Sequence, residues 1–168
     1  YEESLLNCCV PLETVQKAGI TIPTFACLAR CQGLEVQVKY ADSATVEDFR
    51  DAVQRVCQED DAPAPVDTTA DGNSDDPIDH LWHVLVASYD RGTLNQTGTG
   101  HFSPIGAYDA ASDSVLVLDT ARFKYGAHWV RLPLLFEAMR PVDPDTGRSR
   151  GFVVLTNPHG PDGPGESG

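Results

Sequence analysis

Residues 101–125, HFSPIGAYDAASDSVLVLDTARFKY, constrain the fold of this chain more than any other stretch. They follow a glycine-rich run, TGTG, and apolar residues alternate or cluster on both sides of the turn-like Ala111-Ser112-Asp113. That is the pattern of two antiparallel strands joined by a short turn. Side chains alternate between faces along a strand, so the register of such a hairpin decides which residues meet. His101 and Asp119 share a face only if opposing residue numbers add to an even total. A total of about 220 sets them directly opposite, and one of about 222 makes them diagonal neighbours roughly 7 Å apart. An odd total places them on opposite faces. A histidine held by a carboxylate is a general base with its imidazole oriented. From spacing alone, a structural histidine and a turn carboxylate are the commoner case.

The other segments read as elements packed around that hairpin. Pro11 followed by LETVQKA and Gly19 is a short helix with proline at its first turn and glycine just past its end. Pro23 to Gln32, closed by Gly33, repeats the punctuation. LEVQVKY places Leu34, Val36, Val38 and Tyr40 at the period of a half-buried strand. Thr45 to Cys57 is an amphipathic helix, with a capping-box pattern at Thr45 and Asp48 and an apolar stripe of Val46, Phe49, Val53 and Val56. HVLVASYD reads as a strand, residues 132–139 as a helix and GFVVLT as the last strand. Helices first and an antiparallel sheet second is an α+β arrangement.

HFSPIGAYDAASDSVLVLDTARFKYGAHWVRLPLLFEAM resembles the signature region of the phytochelatin synthases, glutathione γ-glutamylcysteinyltransferases that make metal-chelating peptides from glutathione. The resemblance extends to LLNCCVPLETVQKAGITIPTFACLARCQG and to DTGRSRGFVVLT, and so covers most of the chain. It implies a papain-like cysteine-protease fold and a Cys-His-Asp triad in that chain order, with His101 and Asp119 as the second and third members. The family's nucleophile belongs to a Cys-Gly segment upstream of the counterpart of LLNCC, and that segment has no match here. Residues 1–156 are therefore read as a catalytic domain lacking its N-terminal portion and inactive alone. Among the cysteines present Cys27 is the best placed for activation, but its family position is not the nucleophile.

The implied reaction releases glycine from glutathione, holds γ-glutamylcysteine as a thioester and passes it to the α-amine of a second glutathione. No organic cofactor is implied; cadmium or zinc enters as activator or as a metal-glutathione thiolate. Arg150 and Asp143 match family positions that serve the acyl group, and Arg122 and Lys124 are candidates for anchoring the acceptor. Two alternatives stay open: a glutathione-hydrolysing peptidase of the same fold, and a non-catalytic metal-binding relative. The oligomeric state also stays open, with a homodimer among the options.

Twenty-five acidic against twelve basic residues give a formal charge of −13, which argues against nucleic acid or an anionic membrane as the main partner. Much of that charge lies in residues 58–79, whose Asp, Pro, Ala and Gly content predicts a disordered surface insert. Residues 157–168 are expected to form a disordered tail. No apolar run is long enough to span a membrane. Five cysteines without a framework spacing favour free thiols and a cytoplasmic location. Cys27 and Cys31, four apart on a helix, share one face and either contact a soft metal ion or turn together to the core. Cys8 and Cys9 are adjacent and tend to point apart, which suits neither a chelate nor an easy disulfide. His128 reads as a packing residue, and His80 and His83 carry no metal signal.

Overall fold

A computed structural model describes residues 8–58 and 83–158. The expected acidic insert and tail lie outside the described residues except at 58, 157 and 158. Among the described residues two helices come first, α1 (Leu12–Ala18) and α2 (Ile22–Cys31), then β1 (Glu35–Tyr40) and α3 (Val46–Gln58). β2 (His83–Asp90) leads through a 3-10 turn at Gly92–Leu94 into β3 (Gly100–Asp109) and β4 (Ser114–Val117). β5 (His128–Arg131), α4 (Leu132–Met139), a two-residue ribbon β6 (Val142–Asp143) and β7 (Arg148–Ser149), and β8 (Gly151–Thr156) complete it. Gly33 leaves α2 at φ 81°, a backbone conformation that side chains other than glycine's resist. The capping box of α3 is reciprocal: the Asp48 carboxylate accepts from the Thr45 N–H at 2.7 Å, and the Asp48 N–H donates to the Thr45 hydroxyl at 3.1 Å.

Six strands form one sheet in the order β1-β8-β2-β3-β4-β5, and every neighbouring pair is antiparallel. The α+β expectation holds, with one refinement. β8 inserts between β1 and β2, so that among the described residues the early strand β1 joins the sheet through β8. All six residues of β8 are buried because both faces are covered. Phe152 and Val154 pack with Phe49 and Val53 of α3 and with Leu135, Phe136 and Met139 of α4. Val153 and Leu155 pack with Ile22 and Ala29 of α2 on the other face. β5 was not legible in advance, since four residues with a single buried side chain, Val130, give no alternation to read. Among the described residues no helix is long and apolar enough to cross a membrane.

Gly151 marks the tightest point of this architecture. A Cβ there would collide with the backbone carbonyl of Lys39 and lie 2.9 Å from the Tyr40 Cα, and backbone cannot swing aside as a side chain can. Gly151→Ala should force β1 and β8 apart at the Tyr40 pairing and destabilise the fold by about 1–3 kcal/mol. The urea midpoint of the variant measures this, and a midpoint equal to that of the parent would show that the strands tolerate a side chain there.

Candidate active site

His101 lies at the start of β3, opposite Tyr89 of β2. Alternation then puts Tyr89, Arg91 and His101 on one face of the sheet. Asp119 joins them just past the end of β4. On the turn side of the β3–β4 hairpin Ala107 faces Leu116, and on the open side Ile105 faces Val117, so the register shifts by one residue at Gly106. Beyond that bulge the frame is even, the diagonal arrangement, and Leu118 continues it by donating its N–H to the Pro104 carbonyl at 2.9 Å. The imidazole Nε2 of His101 stands 3.0 Å from Asp119 Oδ1. The two residues meet, as the even register required.

Asp119 is fully buried at its side chain, and its Oδ1 gathers three donors. These are His101 Nε2, the Ala121 N–H at 2.8 Å and Arg91 Nη2 at 2.9 Å. Among the described residues Oδ2 has no hydrogen-bond partner. Burial pushes the Asp119 carboxyl up, but the Arg91 bond, the Ala121 N–H and the nearby charges outweigh it and hold the group below the usual aspartate range. Burial and the Arg91 cation lower the pKa of His101, opposed by Asp119, with Lys124 adding a smaller push in the same downward direction. The ring of Tyr89 meets the imidazole edge-on with centroids 5.9 Å apart. The imidazole is thereby oriented and partly shielded from water.

Arg150 and Asp143 come together elsewhere. Both line a cleft of about 480 Å³ with Ser88, Asp90, Gly100 and Asp145. Gly100 and Phe102, which flank His101 on β3, line this cleft. Arg150 is buried and spends Nη1 on the carbonyls of Pro141 and Val142, at 3.0 and 3.1 Å. Its Nε and Nη2 edge lies over Gly100, where any Cβ would come within 2.9 Å of Nη2. The glycine before His101 thus leaves room for the guanidinium to come close. Arg122 lines a separate hollow with Asp119, Thr120 and Leu118.

The cysteines depart from expectation. Cys8 pairs with Cys31 and Cys9 with Cys27 in two disulfides, with Cα separations of 6.6 and 6.1 Å. The Cys8 and Cys9 sulfurs do not point apart but lie 3.6 Å from each other, and two partners one helical turn apart on α2 let each form its own bond. Cys27 and Cys31 are exposed, so they do not face the core. With these four cysteines paired, cysteine usage no longer argues for a reducing compartment. The sulfurs of Cys8, Cys9 and Cys31 lie within 4.8 Å of one another. His83 contacts the Thr156 hydroxyl at 2.8 Å. His128 is more than a packing residue, since its Nε2 meets the side-chain amide of Gln96 at 3.0 Å. Arg91 had no motif to announce it; its signal was register, two residues past the partner of His101.

The pKa directions fix how stability responds to acid. His101 titrates below its ordinary 6.5 in the folded chain, so between that lowered value and 6.5 the unfolded chain binds a proton that the folded chain refuses. Stability therefore falls as the pH drops below about 6.5. Asp119 acts in the same direction below its ordinary 3.8, where the unfolded chain again protonates first. His101→Gln should flatten the fall in urea midpoint between about pH 7 and 5, a window set by the reference histidine value. An unchanged slope would show that His101 is not the group responsible.

Family comparison bears on this geometry. A family model described as phytochelatin synthase matches residues 1–152. Over 95% of its length the chain is 42% identical to "Glutathione gamma-glutamylcysteinyltransferase 1" of Arabidopsis thaliana, of which it covers 28%. It is 42% identical over 93% of its length to "Glutathione gamma-glutamylcysteinyltransferase 3" of Lotus japonicus, again covering 28% of that protein. To "Glutathione gamma-glutamylcysteinyltransferase" of Schizosaccharomyces pombe it is 35% identical over 96% of its length and covers 34%. The chain thus spans about a third or less of the relatives it matches. With nearly its whole length aligned, from the cysteine-bearing helices through the His101–Asp119 hairpin, the chain belongs to the phytochelatin synthase family.

Proposed function

We propose that this chain is the base-bearing part of a glutathione γ-glutamylcysteinyltransferase, which transfers γ-glutamylcysteine from one glutathione to another or to a growing phytochelatin. The observation that carries the proposal is His101 bonded through Nε2 to a buried, ionised Asp119. His101 takes the proton from a cysteine thiol supplied by another part of the protein, and Asp119 holds the imidazole while it does so. The thiolate attacks the Cys-Gly carbonyl and the amide bond breaks as His101 returns its proton to the departing glycine amine; the α-amine of a second glutathione then attacks the thioester carbonyl, gives up a proton to His101 and expels the cysteine thiolate. A metal ion enters as substrate, on the thiol of the acceptor. The γ-glutamyl end carries a carboxylate and an ammonium. The free edge of Arg150 suits the first, and Asp143, with Asp90 and Asp145 in the same cleft, suits the second. Helices packed against an antiparallel sheet, with histidine preceding aspartate in the chain, support a papain-like fold.

The test is a chimera in which this chain replaces the aligned segment of the Arabidopsis relative. Incubated with glutathione and cadmium, it should yield γ-Glu-Cys oligomers. His101→Ala and Asp119→Asn should each lower the rate by at least about 10³-fold, the order of loss seen when a base or its orienter is removed. Arg150→Lys should act mainly on KM. A folded chimera that releases only γ-Glu-Cys would make the chain's chemistry hydrolysis, and one that binds metal but never forms acyl-enzyme would make it non-catalytic.

For metal contact we propose the cysteine cluster, Cys27 and Cys31 together with Cys8 and Cys9. Three convergent sulfurs, of Cys8, Cys9 and Cys31, with Cys27 bonded to Cys9, support it, because reduced they offer the thiolate donors that soft ions select. Disulfides consume the same sulfurs, so metal and disulfides exclude each other. Cadmium should bind the reduced chain and not the oxidised one, read by thiolate-to-metal absorbance in the ultraviolet; equal binding by both forms would place the metal elsewhere.

A further inference from the structure

The His101–Asp119 pair explains a base but leaves open what sets the base's charge and which ring nitrogen carries its proton. Arg91 stands behind the pair. Its side chain is 4% exposed, and it shares with His101 one oxygen of Asp119. Its other amino group donates to Gln96 Oε1 at 2.8 Å, which turns the Gln96 amide N–H toward His128 Nε2 at 3.0 Å. His128 donates its Nδ1 proton to the Gly126 carbonyl at 2.9 Å. The Tyr125 ring lies 4.9 Å from the guanidinium carbon, and the Tyr125 hydroxyl accepts from the Thr97 N–H at 2.8 Å. Arg91 is therefore held on several sides.

A second group meets the same ring nitrogen. Thr120 donates its hydroxyl proton to the Phe102 carbonyl at 3.0 Å, so toward His101 Nε2, 3.2 Å away, it can only accept. Nε2 thus faces two acceptors, Asp119 Oδ1 and Thr120 Oγ1, and must carry the proton. Nδ1 then carries the ring's lone pair. The charged and titratable groups around His101 are Tyr89 and Arg91 from the β2 side, Asp119 beyond β4, and Lys124 in the following loop; Arg150 lies across β3 beside Gly100.

We propose that Arg91 is a positioning residue for His101: through the oxygen they share on Asp119 it keeps the imidazole a neutral base, with the proton on Nε2 and the Nδ1 lone pair presented to the reacting thiol. A purely structural arginine would hold the loop and leave the charge state of His101 alone. A cation whose partner carboxylate also serves the imidazole cannot, because protonating the ring would put a second positive charge against the same oxygen. This rests on His101 being the base, but it is tested without turnover.

Nitrogen-15 and carbon NMR of the histidines in the full chain reads both properties directly. The parent should show His101 as the Nε2–H tautomer with a pKa below 6.5, the ordinary value. Arg91→Met should raise that pKa by about one unit, the low end of what a close charge contributes. Arg91→Lys, which keeps the charge, should restore most of the shift, and Gln96→Leu, which only loosens the guanidinium, should give a smaller rise. If Arg91→Met does not fold, the parent and Gln96→Leu still decide. An Nδ1–H tautomer in the parent, or a His101 pKa indifferent to Gln96→Leu and to any folded Arg91 variant, overturns the proposal. A chimera that fails to transfer while these shifts appear would instead count against the transferase assignment alone.

Discussion

Between Ile105 and Ala107 the β3–β4 hairpin changes frame, and the rest of the site depends on that change. On the turn side Asp109 faces Ser114 and Tyr108 faces Val115, pairings that would put His101 and Asp119 on opposite faces if continued. The extra residue at Gly106 restores even parity before the strand reaches His101. Glycine is suited to that position. A Cβ there would come 2.9 to 3.0 Å from the Leu118 side chain, which lies directly over it. Leu118 in turn immediately precedes Asp119, so the bulge and the carboxylate are packed as one unit.

A bulge placed on a loose hairpin would orient nothing, and this hairpin is anchored at its other end. Asp113, at φ 48°, turns its carboxylate to Arg50 of α3, which donates from Nε at 3.1 Å and from Nη2 at 2.9 Å. The Tyr108 hydroxyl adds a third bond at 2.9 Å. A two-pronged contact of this kind fixes direction as well as distance. α3 is itself seated by Phe49, which is fully buried against Phe136 and Phe152. Rigidity therefore runs from the core through α3 to the turn, along the strands and out to the base.

Much of this was legible in the residues, and the reasons are local. The apolar stripe and capping box of α3, the alternation of β1 and the apolar run of β8 each announce their element because a period or a cap is written into the residues themselves. The His101–Asp119 contact was legible only as a condition on parity. Neither Gly106 nor any other single residue states that a bulge occurs, since a bulge depends on how two strands fit and not on one. Arg91 was invisible for a related reason: its partner lies 28 positions away, and no motif marks a residue whose role comes from register. Pairing of the cysteines depended on how close the dicysteine segment runs to α2, which spacing along the chain does not give.

The buried Arg91–Asp119 pair is an expensive arrangement for stability alone. Desolvating both charges costs several kcal/mol per ion before any attraction is counted, and a well-packed apolar pair often does as well. The pair is also asymmetric, with three donors on Oδ1 and Oδ2 unpartnered among the described residues. An arrangement shaped only for stability would spread those donors over both oxygens. Concentrating them on one gives the imidazole a single acceptor in a fixed place, already committed to a cation that resists a second positive charge. What the burial secures is the direction and charge state of His101.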